Sequence, residues 1–162
     1  MALAPPQEPF ADWPIQVTIP AGYIWYTEPG VLVTQAQIEH ATYEQALAMT
    51  TRVDTVVQHR KVELAQVGGL LIIHDWRKLK TWDNEARQLL VQRSRDRGRG
   101  VIRAAIIAIS VNPLLRLLAQ VVNVTMSAVG GGGVQVVDNV LPSLEKYGVR
   151  RPSYASRFPR GA

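Results

Sequence analysis

The sequence predicts an α/β domain in which one mixed β-sheet packs against helices, and three observations support this prediction. The first part contains three short strand candidates, residues 16–19, 23–26 and 31–33, joined by turns, which predicts antiparallel strands. From residue 42 onwards, stretches with helical periodicity alternate with short apolar runs. The run at residues 70–74 has the continuous apolar character that is typical of strands buried on both faces. The predicted order is therefore a β-hairpin region followed by α–β–α–β–α–β–α, and this alternation favours a single sheet.

The first predicted helix begins after Thr42, a residue type that caps helix N-termini well. Gln45 stands three residues later, where a capping box places Glu or Gln. Apolar residues continue at helical spacing to about residue 65, and Gly68 and Gly69 then end the helix. We expect the sequence LLIIH, residues 70–74, to form a buried central strand.

The second half of the chain repeats this alternation. The apolar run VIRAAIIAI predicts another buried strand. Asn112 suits the N-cap of a third helix, and Pro113 suits its first position. In order, the elements predicted after the central strand are a helix over about 83–97, a strand over 101–109, a third helix from 113, a strand over 134–137 and a short helix over about 139–147.

We predict one domain, residues 15–148, between two flexible ends. Residues 1–14 form a proline-rich flexible arm in this prediction, and residues 149–162 form a disordered basic tail.

The chain has no cysteine, which excludes disulfides and thiolate-ligated metal sites. The first residues do not resemble a secretory signal, and the apolar region 101–129 contains arginines that argue against a membrane-spanning helix. Together these features predict a cytoplasmic protein.

The net charge of +5 is concentrated in two arginine clusters, one near the end of the second predicted helix and one in the tail. We expect both to be solvated, and the first to be at most a weak anion-binding site. Nucleic-acid binding is not favoured, because no aromatic residues interleave the first cluster as single-strand binders require. The clusters are Arg93, Arg95, Arg97 and Arg99, and Arg150, Arg151, Arg157 and Arg160.

The polar end of the central strand is where sites gather in α/β proteins, so His74 and Asp75 are the first candidates for catalysis. Neighbouring residues in a strand point to opposite faces, however, so these two side chains cannot readily form a hydrogen-bonded pair. The sequence has no G-x-S-x-G motif, its three histidines lack metal-ligand spacing, and glycines 130–133 follow a helix instead of a strand. The sequence therefore predicts no enzyme activity, no metal and no cofactor.

The segment LIIHDWRKLKTWDNEAR, residues 71–87, carries a resemblance to a known family. A central strand ends in Asp75, a loop follows, and then a helix begins; the preceding hairpin and the NPLLRLL helix fit the same arrangement. It resembles the STAS fold of anti-sigma factor antagonists, in the SpoIIAA-like branch that some classifications join with Sec14-type lipid-binding domains. The resemblance covers about residues 16–148. It implies a bacterial domain that acts by binding another protein.

The start of the second predicted helix departs from the family it resembles. Antagonists of the phosphorylated type keep a serine or threonine there, where its phosphate lies near the positive helix N-terminus. This chain has Thr81 and Asp83 in that region. Three interpretations stay open: Thr81 is phosphorylated, Asp83 acts as a permanent negative charge, or one of them only caps the helix.

The resemblance and the residue types predict a non-enzymatic protein-interaction module in bacterial regulation or assembly. Two alternatives stay open: a domain that binds a lipid or another apolar ligand, and a self-assembling structural subunit of a larger complex. Leu115, Val124 and Met126 leave one flank of the third helix apolar, which makes it the candidate self-association face. Alternatively, Phe10 and Trp13 of the arm cover that flank. The predicted docking residues are Asp75, Trp76, Arg77, Thr81, Trp82, Asp83 and Arg87.

Overall fold

A computed structural model describes residues 2–98, 100–110, 113, 116, 119–120 and 133–160. Its strands are β1 (Val17–Ile19), β2 (Gly22–Glu28), β3 (Val31–Ala36), β4 (His40–Ala41), β5 (Leu70–Trp76), β6 (Thr81–Trp82), β7 (Ile102–Ile109) and β8 (Gly133–Val137). Its helices are α1 (Tyr43–His59), α2 (Lys61–Val67), α3 (Asn84–Asp96) and α4 (Leu141–Lys146), followed by a 3-10 turn, Tyr154–Ser156.

Six of the strands form one mixed sheet in the order β1–β2–β3–β5–β7–β8. The pairs β1–β2 and β2–β3 are antiparallel, whereas β3, β5, β7 and β8 run parallel to one another. The predicted mixed sheet with an antiparallel N-terminal region is therefore confirmed. Strand β5 is hydrogen-bonded on both sides, and every one of its residues is buried. The two short strands β4 and β6, which the sequence did not predict, pair with each other outside the main sheet.

Helices α1, α2 and α3 lie on the first face of the sheet. The predicted capping box is present at the start of α1: the Gln45 amide donates to Thr42 Oγ1 at 3.3 Å, and the Thr42 amide donates to Gln45 Oε1 at 2.9 Å. The single helix predicted to residue 65 is instead two helices, because the backbone of Arg60 leaves helical geometry at φ −112° and ψ 18°. This break allows α2 to bury Leu64, and Gly68 then ends α2 in the left-handed conformation that glycine adopts without strain.

The N-terminal segment packs on the second face of the sheet. Phe10 is fully buried, with its ring centroid 4.7 Å from that of Trp13 and 5.3 Å from that of Trp25. Trp25 Nε1 also donates to the Pro14 carbonyl at 2.8 Å. This differs from the flexible arm predicted for residues 1–14. The physical reason is that the central strands are apolar on both faces, and the short helix α4 covers only part of the second one.

The C-terminal segment is also packed against the domain within its described part, residues 149–160. Phe158 is buried in the cluster under the first face, and Gln16 Nε2 donates to the Ser156 carbonyl at 3.2 Å. The tail is therefore ordered there, in contrast to the disorder predicted from its composition. Burial of the large Phe158 ring helps to anchor this segment to the core.

The third predicted helix is described only in part: residues 113, 116, 119 and 120 are helical. Among the described helices, none has both the length and the apolar character needed to cross a membrane. The candidate self-association residues Leu115, Val124 and Met126 lie outside the described residues. Glycines 130–132 also lie outside them.

Candidate functional site

The end of β5 places its last polar side chains on opposite faces of the sheet. Parallel pairing with β3 puts Thr34 beside His74 and Gln35 beside Asp75. On the first face, Thr34 Oγ1 and His74 Nδ1 share a hydrogen bond of 2.7 Å. On the second face, Gln35 Nε2 donates to Asp75 Oδ2 at 3.2 Å. The prediction that the His74 and Asp75 side chains point to opposite faces and form no hydrogen bond with each other is therefore confirmed.

Asp75 is a buried carboxylate held by one arginine. The Asp75 side chain is only 4% exposed, and Arg77 donates to it through two nitrogens, Nε to Oδ1 at 2.7 Å and Nη2 to Oδ2 at 2.8 Å. This forked geometry is the strong form of an arginine–carboxylate bond. Donation of hydrogen bonds to the Asp75 carboxylate raises the pKa of Arg77. The pair is therefore an internal structural element more than an exposed recognition feature.

The N-terminal segment is fastened to this buried pair. The Gln35 side chain accepts from the Gln7 amide at 3.1 Å and donates to the Gln7 carbonyl at 3.1 Å. Arg77 Nη2 donates to the Glu8 carbonyl at 2.9 Å. Because these bonds engage the backbone of the segment, they fix its path across the strand ends. Two of the predicted docking residues, Asp75 and Arg77, are thus already occupied by the chain itself.

Trp76 is buried as well, on the first face. Its ring lies 4.5 Å from the His74 ring and 5.8 Å from that of Trp82, measured between centroids. Leu79, in the loop that follows, is also buried. Asp75 and Trp76 of the predicted docking surface are therefore buried, whereas Arg77 is half-buried.

In the second half of the predicted docking surface, His40 holds the exposed side chains of Thr81 and Asp83, whereas Trp82 and Arg87 are half-buried. His40 Nδ1 lies 2.6 Å from Thr81 Oγ1, and His40 Nε2 lies 2.8 Å from Asp83 Oδ1. Next to this group, Lys80 and Glu39 form an exposed ion pair of 2.8 Å, and the hydrogen bond from Lys80 lowers the pKa of Glu39. We call these five residues the β4–β6 surface. Parallel pairing of β4 with β6 brings its two halves together.

Asp83 does not cap α3 with its side chain, although it stands at the N-cap position. Its carboxylate turns to His40 instead, and Arg87 in the first turns of the helix donates to Asn84 at 2.8 Å. The interpretation of Asp83 as a simple side-chain cap is therefore wrong. Thr81 does not cap the helix either, since its hydroxyl is bonded to His40.

A cavity of about 70 Å³ lies under the first face, between the sheet, α1 and α3. Its walls are mainly apolar, but His74 and Arg97 also line it. Trp82 is part of the same wall, and its indole N–H is buried without a hydrogen-bond partner among the described residues. The apolar walls are formed by Met49, Val53, Ile72, Trp76, Leu90, Ile102, Ala105, Ile107, Ala119 and Val134.

Burial lowers the pKa of His74 from 6.5 to about 3, and the nearby charge of Arg97 contributes in the same direction. His74 is therefore neutral at physiological pH and a poor proton acceptor, which does not favour a role as a general base.

The shifted pKa of His74 predicts acid sensitivity of the fold. In the unfolded chain this histidine binds a proton below about pH 6.5, whereas in the folded chain it stays neutral until about pH 3. The stabilising contribution of neutral His74 to the free energy of unfolding is therefore complete above pH 6.5 and is lost as the pH falls towards 3. We expect about 2 kcal/mol of this contribution to be lost between pH 8 and pH 5. Urea unfolding at several pH values should show this loss, and it should be smaller in His74→Gln; identical pH profiles would contradict it.

The first arginine cluster is divided between structure and solvent. Arg97 Nε donates to Asp54 Oδ1 on α1 at 2.7 Å, and Arg93 lies 3.4 Å from Asp54 Oδ2. Arg95 is exposed, and Arg99 lies outside the described residues. Two of the four predicted anion-binding residues therefore connect α3 to α1, which weakens the prediction of an anion site here.

Sequence reasoning missed two residues that organise this region, His40 and Gln35. A signal for Gln35 was present: Thr34 and Gln35 follow an apolar strand just as His74 and Asp75 follow LLII, and parallel pairing aligns such ends. No comparable signal marked His40, because its partners are brought to it only by the two-residue strands β4 and β6. Within the described part of the chain, no cluster of three or more potential metal ligands is found.

The arrangement of one mixed sheet, an antiparallel N-terminal region and parallel strands connected by helices defines the class of fold. No protein-family model matches the chain, and no curated protein matches it either. The fold is similar to that of an uncharacterised protein of the DUF3478 family from Shewanella loihica PV-4, which is described as having a SpoIIAA-like fold. The TM-score is 0.52 at 14% sequence identity, over 72% of this chain and 82% of the other. The protein therefore has a SpoIIAA-like fold, as its sequence resemblance implied.

Proposed function

We propose that this protein is a non-enzymatic protein-interaction module that docks through the β4–β6 surface and the start of α3. The observation that carries the proposal is the His40 side chain, which holds both Thr81 and Asp83 at the exposed end of that helix. These contacts join residues that are 41 and 43 positions apart in the sequence, so they fix the shape of the β4–β6 surface in the absence of a partner. Such preorganisation lowers the entropy cost of binding.

The charge at this position supports the same proposal. The Asp83 carboxylate is 39% exposed and is not used to cap α3, so it presents a fixed negative charge beside the helix start. Thr81, in contrast, has its hydroxyl engaged by His40. We therefore take Asp83, and not phosphorylated Thr81, as the determinant of docking. By analogy of fold alone, we place the protein in bacterial regulation or assembly in the cytoplasm.

We expect Asp83→Lys to abolish partner capture while lowering the free energy of unfolding by less than about 1 kcal/mol, because the lost pair with His40 is exposed. The measurement is quantitative pull-down from nuclease-treated host lysate, read by mass spectrometry. Asp96→Lys is the matched control, since it makes the same charge change at the exposed far end of α3. Equal capture by all three proteins would contradict docking at Asp83.

One observation supports the alternative that the protein binds an apolar ligand. A cavity lies beside the indole N–H of Trp82, which has no hydrogen-bond partner among the described residues. The size of the cavity limits this alternative. Its volume of about 70 Å³ is less than half of the roughly 150 Å³ of an engineered cavity that binds benzene. This cavity, as the described residues form it, is therefore too small for a whole lipid, and we rank the interaction module first. Native mass spectrometry of protein purified from its host would reveal a smaller ligand.

A further inference from the structure

An open groove of about 730 Å³ lies between the start of β1 and the C-terminal segment, and none of its lining residues belongs to the β4–β6 surface. Residues 14–18 form one wall, residues 151–154 and 157–160 form the other, and Arg52 of α1 contributes to the lining. Arg60 Nη2 donates to the Arg157 carbonyl at 3.0 Å, which helps to hold the second wall in place. The groove is therefore preformed.

The lining of this groove is strongly basic. It contains four arginines and no carboxylate. Asp12, which is not part of the lining, has its carboxylate 4.0 Å from Arg151 and is well exposed, so it offsets the positive charge only weakly. A cleft lined by charges of one sign attracts ligands of the opposite sign. The arginines are Arg52, Arg151, Arg157 and Arg160.

The same groove offers features that suit an extended polypeptide. Strand β1 is at the end of the main sheet and pairs only with β2 in the described structure, so its outer edge is unpaired. Such an edge can accept an additional strand through backbone hydrogen bonds. Apolar side chains, including Ile15 at 56% exposure and Val17, line the wall beside that edge.

A single-stranded nucleic acid suits the groove less well. Binding of bases requires aromatic rings with free faces. Tyr154 is the only exposed aromatic residue in the lining, and the guanidinium carbon of Arg157 lies 3.5 Å from the centroid of its ring. One face of that ring is thus already covered.

We propose that the groove binds an extended acidic peptide segment of a partner protein, which adds to the free edge of β1 and pairs its carboxylates with the four arginines. This site is separate from the β4–β6 surface and does not depend on docking there. A peptide that alternates acidic and apolar residues matches the groove best, because alternate side chains of a strand point to opposite sides.

The test is fluorescence polarisation with a fluorescein-labelled peptide of alternating glutamate and valine. The purified full-length protein should bind this probe, and the affinity should fall as NaCl is raised. The double variant Arg52→Glu, Arg160→Glu should bind about tenfold or more weakly, because two attractions become repulsions. Neither arginine makes a hydrogen bond or ion pair among the described residues, so the variant should fold, and its circular dichroism spectrum checks this.

The controls separate this proposal from its competitors. Arg103→Glu, an exposed change of the same charge on β7, should bind the probe within about twofold of the wild type. A lysine–valine peptide should not bind, and a probe N-methylated at alternate residues should bind more weakly because it cannot complete strand pairing. Asp83→Lys should leave probe binding unchanged, which distinguishes this site from the β4–β6 surface. The proposal would be overturned if the probe did not bind, or if its binding were insensitive to the arginine changes or to N-methylation. Tighter binding of an oligothymidine would also overturn it.

Discussion

We expect Phe10→Ala to lower the free energy of unfolding by about 3–5 kcal/mol, the usual cost of truncating a buried phenylalanine. Phe10 is completely buried, and its ring packs against both Trp13 and Trp25. Removing it leaves a cavity between the N-terminal segment and the second face of the sheet, which the surrounding side chains fill only in part. Urea unfolding followed by circular dichroism measures the change.

Ile15→Ala is the matched control for Phe10→Ala, since Ile15 belongs to the same part of the chain but is 56% exposed. Its cost should stay within about 0.5 kcal/mol. If Phe10→Ala lowered the free energy of unfolding as little as the control, the segment would not belong to the core. The flexible arm predicted from its prolines would then be the correct description. The outcome also decides how truncations are interpreted. A protein that lacks its first residues would lose part of its core, so a change in its oligomeric state would not show that the segment contacts a neighbouring subunit.

The elements of the main sheet could be predicted because periodicity is a local property of the sequence. Residues 70–74 and 101–109 are short, mostly apolar runs, and both form largely buried strands in the structure. The capping box of Thr42 and Gln45 also depends on residues within one helical turn. In each case, the residues that determine the structure are close together in the chain.

The two chain ends could not be predicted in the same way. Phe10 and Phe158 lie in segments rich in proline or arginine, where no periodicity reveals that they are buried. Their partners, among them Trp25 for Phe10, belong to strands elsewhere in the chain. Composition alone therefore indicated flexibility. It did not reveal that the sheet has an uncovered apolar area against which these segments pack.

The candidate site shows the same division between local and distant contacts. The pairing of Asp75 with Arg77 was accessible from the sequence, because residues two apart in an extended chain lie on the same side. The contact of His40 with Asp83 spans 43 residues and depends on a pair of two-residue strands. The sequence therefore located the exposed end of α3 but not the histidine that organises it, and it treated a buried ion pair as part of an exposed surface.

We expect Asp75→Ala to cost about 3 kcal/mol of stability, because it leaves the guanidinium of Arg77 and the amide of Gln35 without their shared acceptor. The cost should lie at the low end of the range for buried pairs, since the Arg77 side chain is 36% exposed and water can replace part of the lost interaction. Asp12→Ala, which removes a carboxylate that is 76% exposed, should be almost neutral. Thermal and urea unfolding of both variants provide the measurement.

A double-mutant cycle of Asp75→Ala and Arg77→Ala then decides what this pair does. A coupling of about 1–3 kcal/mol would show that the two side chains stabilise each other inside the fold. Because Arg77 also holds the Glu8 carbonyl, either single variant should loosen the N-terminal segment and increase amide exchange there. A coupling near zero together with impaired partner capture would instead return Asp75 and Arg77 to the docking surface predicted from the sequence. Strong coupling with normal capture would confine this docking site to the β4–β6 surface and the start of α3, where His40 holds Asp83 and Lys80 pairs with Glu39.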